Sequence, residues 1–122
     1  MRIAMLDVRL AVCRLASDAE LPSWPRGAFT CVTRTRDELS IVCDEDAVPD
    51  DVQAERGWRA FQVEGPIPFE VTGVAAALVG PLANARISVF PIATYDTDYV
   101  LVKAESFENA AGVLRSAGHD VR

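Results

Sequence analysis

The sequence predicts an α+β fold built from two small related halves, and three observations carry that expectation. Several short segments alternate apolar and polar residues with the two-residue period of half-buried strands. Two longer segments space their apolar residues three and four apart, as amphipathic helices do. In the second half these segments run strand, helix, strand, strand, helix, strand; a shorter series in the first half echoes that order, a weak internal duplication.

Val8 to Leu15 (VRLAVCRL) reads as the first strand. Ala16 to Gly27 holds two prolines, a glycine and Trp24 and reads as a loop with at most one helical turn. Phe29 to Thr35 and Leu39 to Cys43 are strands joined by the polar turn Arg36-Asp37-Glu38, which makes a hairpin. Asp44 to Val52 carries five acids and a proline and reads as a solvated turn or very short helix. It lacks the glycine and terminal glutamate of a calcium-binding loop.

Gly57 to Glu64 reads as a strand, and Gly65-Pro66 and Pro68 keep the chain irregular as far as Val71. Thr72 is placed to cap a helix whose stripe is Val74, Leu78, Leu82 and Ala85. Pro81 should kink that helix or split it, because proline has no N–H to give. Ile87 to Ile92 and Tyr99 to Lys103 are apolar strands linked by the polar stretch Thr94 to Asp98. Glu105 to Ala117 puts Phe107, Ala110, Ala111 and Leu114 on one helical face; Gly118 is a stop signal, and His119 to Arg122 a last strand. The division falls between residues 1–56 and 57–122, and no Gly/Ser-rich linker separates the halves.

Composition excludes several classes. Of 122 residues, 12 are basic and 18 acidic, a net charge of −6. That balance offers no basic patch for phosphates, so no nucleic-acid partner is expected. No run reaches the ~18 apolar residues of a spanning helix, and no membrane partner is expected. Met1 to Asp7 lacks the apolar core of a signal peptide, which points to the cytoplasm. Lys103 is the only lysine, an arginine bias typical of GC-rich bacterial genomes. Cys13, Cys31 and Cys43 lie in strand-like runs without metal-binding spacing and read as buried reduced thiols; two of them could pair only if their strands are neighbours. With His119 the only histidine, no histidine-based zinc set can form, and no metal or cofactor is expected. No nucleophile-base pair, phosphate loop or dinucleotide fingerprint is present, so no catalytic residues are assigned. Trp24 and Trp58 read as core or interface anchors.

Several stretches resemble a known family. FQVEG (Phe61 to Gly65), the loop ending in Thr72-Gly73-Val74, and ISVFPIATYDTDYVLV (Ile87 to Val102) look like an ACT domain, a ferredoxin-like βαββαβ module that binds amino acids. With LSIVC (Leu39 to Cys43) and ERGWRAFQVEGP (Glu55 to Pro66) added, the chain resembles small bacterial tandem ACT-like proteins, the regulatory tails of aspartate kinases and the ACT-repeat arginine sensors of animal cells. The resemblance implies two ferredoxin-like subdomains, the first degenerate, each an antiparallel sheet with its helices on one face. It also implies a non-enzymatic amino-acid sensor that forms a homodimer. The alternative is a ligand-independent dimerisation or protein-interaction module.

The chemistry of a free amino acid points to one set of residues. Its carboxylate wants backbone N–H donors, which a helix start supplies with a partial positive charge behind them. Thr72, Gly73 and Val74 stand at such a start, and Gly73 lets a ligand come close to the backbone. The ammonium wants carboxylates, and Asp96 and Asp98 follow the strand Ile87 to Ile92. In the resembling sensors, residues matching Thr94, Tyr95 and Asp98 line the ligand pocket, and Gly73 and Val74 match a glycine-apolar pair that meets it. The first half has no comparable helix start, so no second equivalent pocket is expected there. If the pocket of the resembling proteins needs two complete copies, a second subunit must supply the other wall.

Overall fold

The computed structural model describes residues 1–122. Seven strands and two α-helices follow in order: β1 (Arg2–Leu15), β2 (Cys31–Arg34), β3 (Leu39–Asp44), β4 (Gln53–Val63), α1 (Val74–Asn84), β5 (Phe90–Ala93), β6 (Asp98–Lys103), α2 (Phe107–Ser116) and β7 (Asp120–Val121). The chain forms two compact units, one of residues 1–7 with 59–122, the other of residues 8–58. The N-terminal end of β1 therefore belongs with the C-terminal residues. The alternation that marks Val8 to Leu15 does not reach it, which is why the sequence starts this strand six residues late.

In the unit formed by residues 1–7 and 59–122, the strands lie in the order β1-β4-β6-β5, with β7 added beside β1. β5 and β6 form an antiparallel hairpin, Ala93 opposite Asp98 and Phe90 opposite Leu101. The expected last strand shrinks to β7, which runs parallel to β1 with Arg2 opposite Asp120 and Ile3 opposite Val121. One face carries both helices. Phe61 and Val63 of β4 and Val100 and Val102 of β6 are spaced two apart, so they share a face; they pack with Leu78 and Leu82 of α1 and with Phe107, Ala110, Ala111 and Leu114 of α2. All four expected α2 positions are buried. Gly118, at φ 96°, ends that helix in the left-handed conformation a non-glycine residue resists.

α1 corrects two expectations. Thr72 does not cap it: Gly73 holds the N-cap position at φ 80°, with no side-chain hydrogen bond. A left-handed residue there suits glycine and leaves Thr72 outside the helix. Pro81 lies inside a single unbroken helix instead of splitting it. Proline offers no N–H to the carbonyl four residues back, Ala77. His119 fills that gap, its Nε2 lying 3.1 Å from the Ala77 oxygen. Leu78 and Leu82 of the expected stripe are buried, whereas Ala85 falls just past the helix and is exposed.

In the unit of residues 8–58, β3 pairs antiparallel with β2 and β1, confirming the hairpin. No helix covers this sheet apart from a single turn at Glu45–Ala47. Ala11, Cys13, Leu39, Ile41 and Cys43 form the core, closed by Ala47, Val48, Ala19 and Trp24. The acidic turn thus has an apolar underside at Ala47 and Val48. Cys13 lies opposite Ile41 and Cys43 opposite Ala11, which puts the two thiols diagonally on one face. They are buried, and the Cys43 thiol donates to the Asp44 carbonyl at 3.5 Å, whereas Cys31 is half-buried on β2; all three are free.

Burial pushes the Cys13 thiol up to about 11, and that of Cys43 up as well. The folded chain then holds protons that the unfolded chain gives up above the ordinary thiol value of 9.0. Stability is therefore full below that value and falls as pH rises towards 11, by up to about 1.4 kcal/mol per pH unit for one thiol. Urea midpoints between pH 8 and 10.5 should show this decline, and Cys13→Val should flatten it.

Candidate functional site

The β5–β6 turn, residues 94–97, is held by its own threonines. The Thr94 hydroxyl donates to the Thr97 carbonyl at 2.9 Å, and the Thr94 amide donates to the same oxygen at 2.9 Å. Thr97 is buried, and its hydroxyl donates to the Val63 carbonyl at the end of β4. A buried hydroxyl needs such a partner, so this bond fixes the turn against β4. It also fixes the flanking Asp96 and Asp98.

The irregular segment after β4 is fastened to the same turn. The Ile67 amide donates to the Asp96 carbonyl at 2.7 Å. Gly65 passes so close that a Cβ there would stand 3.0 Å from the Asp96 oxygen and 3.1 Å from Thr97 Cβ. A side chain at this position would have to push its neighbours away by a few tenths of an ångström, so crowding favours glycine. At Gly73 the space is open, and φ is the reason. Phe69 from the segment meets Tyr95 from the turn edge-on, ring centroids 4.8 Å apart.

These pieces enclose a pocket of about 200 Å³. Val74, Thr94, Tyr95, Asp96 and Asp98, five of the seven residues singled out in the sequence, line it together. Thr72 and Gly73 do not line it, although they immediately precede Val74. The opposite wall is Ile67, Pro68, Phe69 and Val71, which sequence reasoning passed over as an irregular connection. Thr97 was missed as well, hidden in a stretch whose polar composition reads as exposed.

The chemistry of the pocket is one-sided. Its charged lining consists of Asp96 and Asp98, with no lysine or arginine. Asp98 opens β6 and is half-buried, and Asp96 is exposed at the tip of the turn. Tyr95 projects into solvent at 79% exposure, so its contribution is a rim. Val74 begins α1, whose first turn carries no acidic side chain and whose first amides have no partners within the helix. The site can thus offer carboxylates to a cation and helix amides to an anion. No group of three or more histidine, cysteine or acidic side chains is placed to hold a metal ion.

Comparison with known proteins agrees with this architecture. The ACT domain family profile matches residues 53–116, more than half of the chain, and a separate N-terminal domain profile matches 9–51. The human protein described as putative protein CASTOR3P is 32% identical over 97 residues, covering 69% of this chain and 60% of its own length. The bovine cytosolic arginine sensor for mTORC1 subunit 1 is 29% identical over 96 residues, covering 70% of this chain and 29% of its own. The chain therefore spans less than two thirds of either relative. Among solved structures, protein Atu0741 from Agrobacterium tumefaciens superposes with a TM-score of 0.93 at 36% identity, over 99% of this chain and 91% of that one. The ligand-free regulatory subunit of aspartate kinase from Thermus thermophilus shares the fold alone, with a TM-score of 0.64 at 13% identity over 95% and 97% of the two chains. The helix start at Val74 and the threonine-held turn at 94–97 both lie on the ACT scaffold, and the chain is a member of the ACT domain family.

Proposed function

We propose that this chain is a non-enzymatic regulatory protein that binds a free amino acid. The observation that carries the reading is the pocket lined at once by Asp96 and Asp98, by Val74 at the start of α1, and by the apolar Ile67, Phe69 and Val71. The carboxylates take the ligand's cationic group and the first amides of α1 its carboxylate. Relatedness to a protein described as a cytosolic arginine sensor supports both the amino-acid ligand and a location in the cytoplasm. With two acids and no base in the lining, a basic amino acid is favoured over an acidic one.

A pocket of about 200 Å³ is small for a ligand site, below the usual ~300 Å³. A second subunit completes it, so the working form is a homodimer. Ligand binding shifts the population towards the arrangement that supplies both walls. Thermal unfolding against the twenty amino acids tests the reading. A ligand at a hundred times its Kd should stabilise by about 2.7 kcal/mol, and basic amino acids should lead the series. A flat response across all twenty refutes sensing and leaves a ligand-independent interaction module.

A further inference from the structure

The chain exposes six large apolar side chains, and four of them, Met1, Phe69, Val71 and Tyr95, gather at one end of the unit formed by residues 1–7 and 59–122. Phe69, Val71 and Tyr95 line the first pocket, and Met1 and Val71 line a neighbouring one of about 500 Å³. Scattered apolar side chains are ordinary on a surface, whereas a contiguous group marks a place of contact. The larger pocket is walled by Met1, Val63, Ile67, Val71 and Val74. Arg2, at its margin, alternates with Ile3 and turns to the other face of the sheet, and Glu64 is exposed. The recess therefore suits an uncharged, apolar group.

Beside the recess stands a projection. Phe69 is 71% exposed and Tyr95 79%, and their rings hold each other edge-on. A projecting ring and an apolar recess on one surface are what a two-fold dimer needs, since each copy must offer both halves of the contact. This self-complementarity points to a second copy of the chain as the occupant. The area is modest. At the roughly 150–250 Å² that a buried aromatic side chain covers, the exposed parts of Phe69 and Tyr95 supply about 500–800 Å² over two copies. A stable interface buries about 1,200 Å² or more, so this contact is reversible. Charge opposes it as well: Asp96 and Asp98 sit in the patch with no lysine or arginine beside them, and pairing brings two such sets together.

We infer that the dimer forms through this patch, the Phe69 ring of each copy entering the apolar recess of the other, and that association is held back by repulsion between the two Asp96–Asp98 sets until a cation neutralises them. A basic ligand then does two things at once: it fills the pocket and removes the charge that keeps the copies apart. The inference rests on the homodimer proposed above. Its apolar part does not depend on the identity of the ligand.

Sedimentation of the full chain at concentrations up to about 1 mM tests it. Raising sodium chloride from about 0.05 to 0.5 M, with no ligand present, should tighten the dimer at least about twofold, because salt screens the acids. Asp96→Asn should do the same at low salt. Phe69→Ser should weaken association at least about tenfold, as loss of an aromatic anchor does. Val71→Gln, which narrows the recess, should weaken it too. Mixing these two variants restores one of the two insertions, so the mixture should associate more tightly than either variant alone. All three side chains are exposed, so the variants should fold, and melting temperatures check that they do. A monomer at every salt concentration, wild-type association of Phe69→Ser, or a mixture no tighter than its components each overturns the inference. L-arginine should favour the dimer as salt does; if it has no effect while the salt and variant results hold, the amino-acid reading fails and the interface stands.

Discussion

Asp98→Asn is expected to remove most of the stabilisation that a bound amino acid confers, while leaving the ligand-free protein almost unchanged. The substitution keeps the shape of the side chain and deletes its charge. Asp98 is the half-buried acid of the pocket, rooted as the first residue of β6 opposite Ala93. No basic side chain lines the pocket, so no native ion pair is lost with the charge. A hydrogen bond to a charged partner contributes roughly 1.5–3 kcal/mol, so the ligand's Kd should rise about ten- to hundredfold. At a concentration one hundred times the wild-type Kd, the wild type gains about 2.7 kcal/mol, whereas a variant weakened a hundredfold gains only about 0.4 kcal/mol. The readout is the difference in melting temperature with and without ligand, measured on both proteins. Asp96→Asn should show a smaller loss, because Asp96 is exposed and water screens it. Equal ligand shifts in wild type and Asp98→Asn would show that the acidic lining takes no part in recognition.

The parts of the fold that could be read in advance are those whose signal is local. The face of α2 was legible because Phe107, Ala110, Ala111 and Leu114 sit at helical spacing with Gly118 behind them. The β2–β3 hairpin was legible because three polar residues separate two alternating runs. What failed depends on contacts distant in sequence. Nothing near Pro81 announces that His119, far along the chain, accommodates the missing N–H. Nothing in residues 1–7 announces that they stand beside β4 and take β7 on their other side.

The site divides in the same way. Asp96, Asp98 and Val74 could be named from the chemistry an amino acid demands, and they do line one pocket. Gly73 could be named too, but its role is conformational: its positive φ starts α1, and Thr72 is left outside. Ile67, Phe69 and Val71 could not be named, because a segment interrupted by two prolines has no periodicity to betray which side chains face inward. Thr97 is the instructive case. A threonine between two aspartates reads as solvent-facing, yet it is the buried polar residue on which the turn hangs.

Phe107→Ala should destabilise the folded chain by about 3–5 kcal/mol. Phe107 is 2% exposed, and its ring stacks on Phe61 with centroids 4.6 Å apart. On the same ring lies the Arg59 guanidinium, 4.2 Å from its centroid. Arg59 donates from Nη2 to the Leu6 carbonyl at 3.1 Å, but its buried Nε has no hydrogen-bond partner. The face of the ring is what compensates that half-buried charge. Truncation to alanine therefore combines three losses: a cavity against Phe61, the aromatic pair, and the electrostatic cover of part of a guanidinium. Against a total stability of roughly 5–15 kcal/mol this is a large share, and the melting temperature should fall by more than about 10 °C. Phe107→Leu should cost clearly less, since it keeps most of the volume and loses the ring. Tyr95→Ala, at a side chain 79% exposed, should lie within about 0.5 kcal/mol of wild type and serves as the control. Urea unfolding of the three variants decides it: a Phe107→Ala loss no larger than that of Tyr95→Ala would mean that the ring supports neither the core nor the half-buried guanidinium.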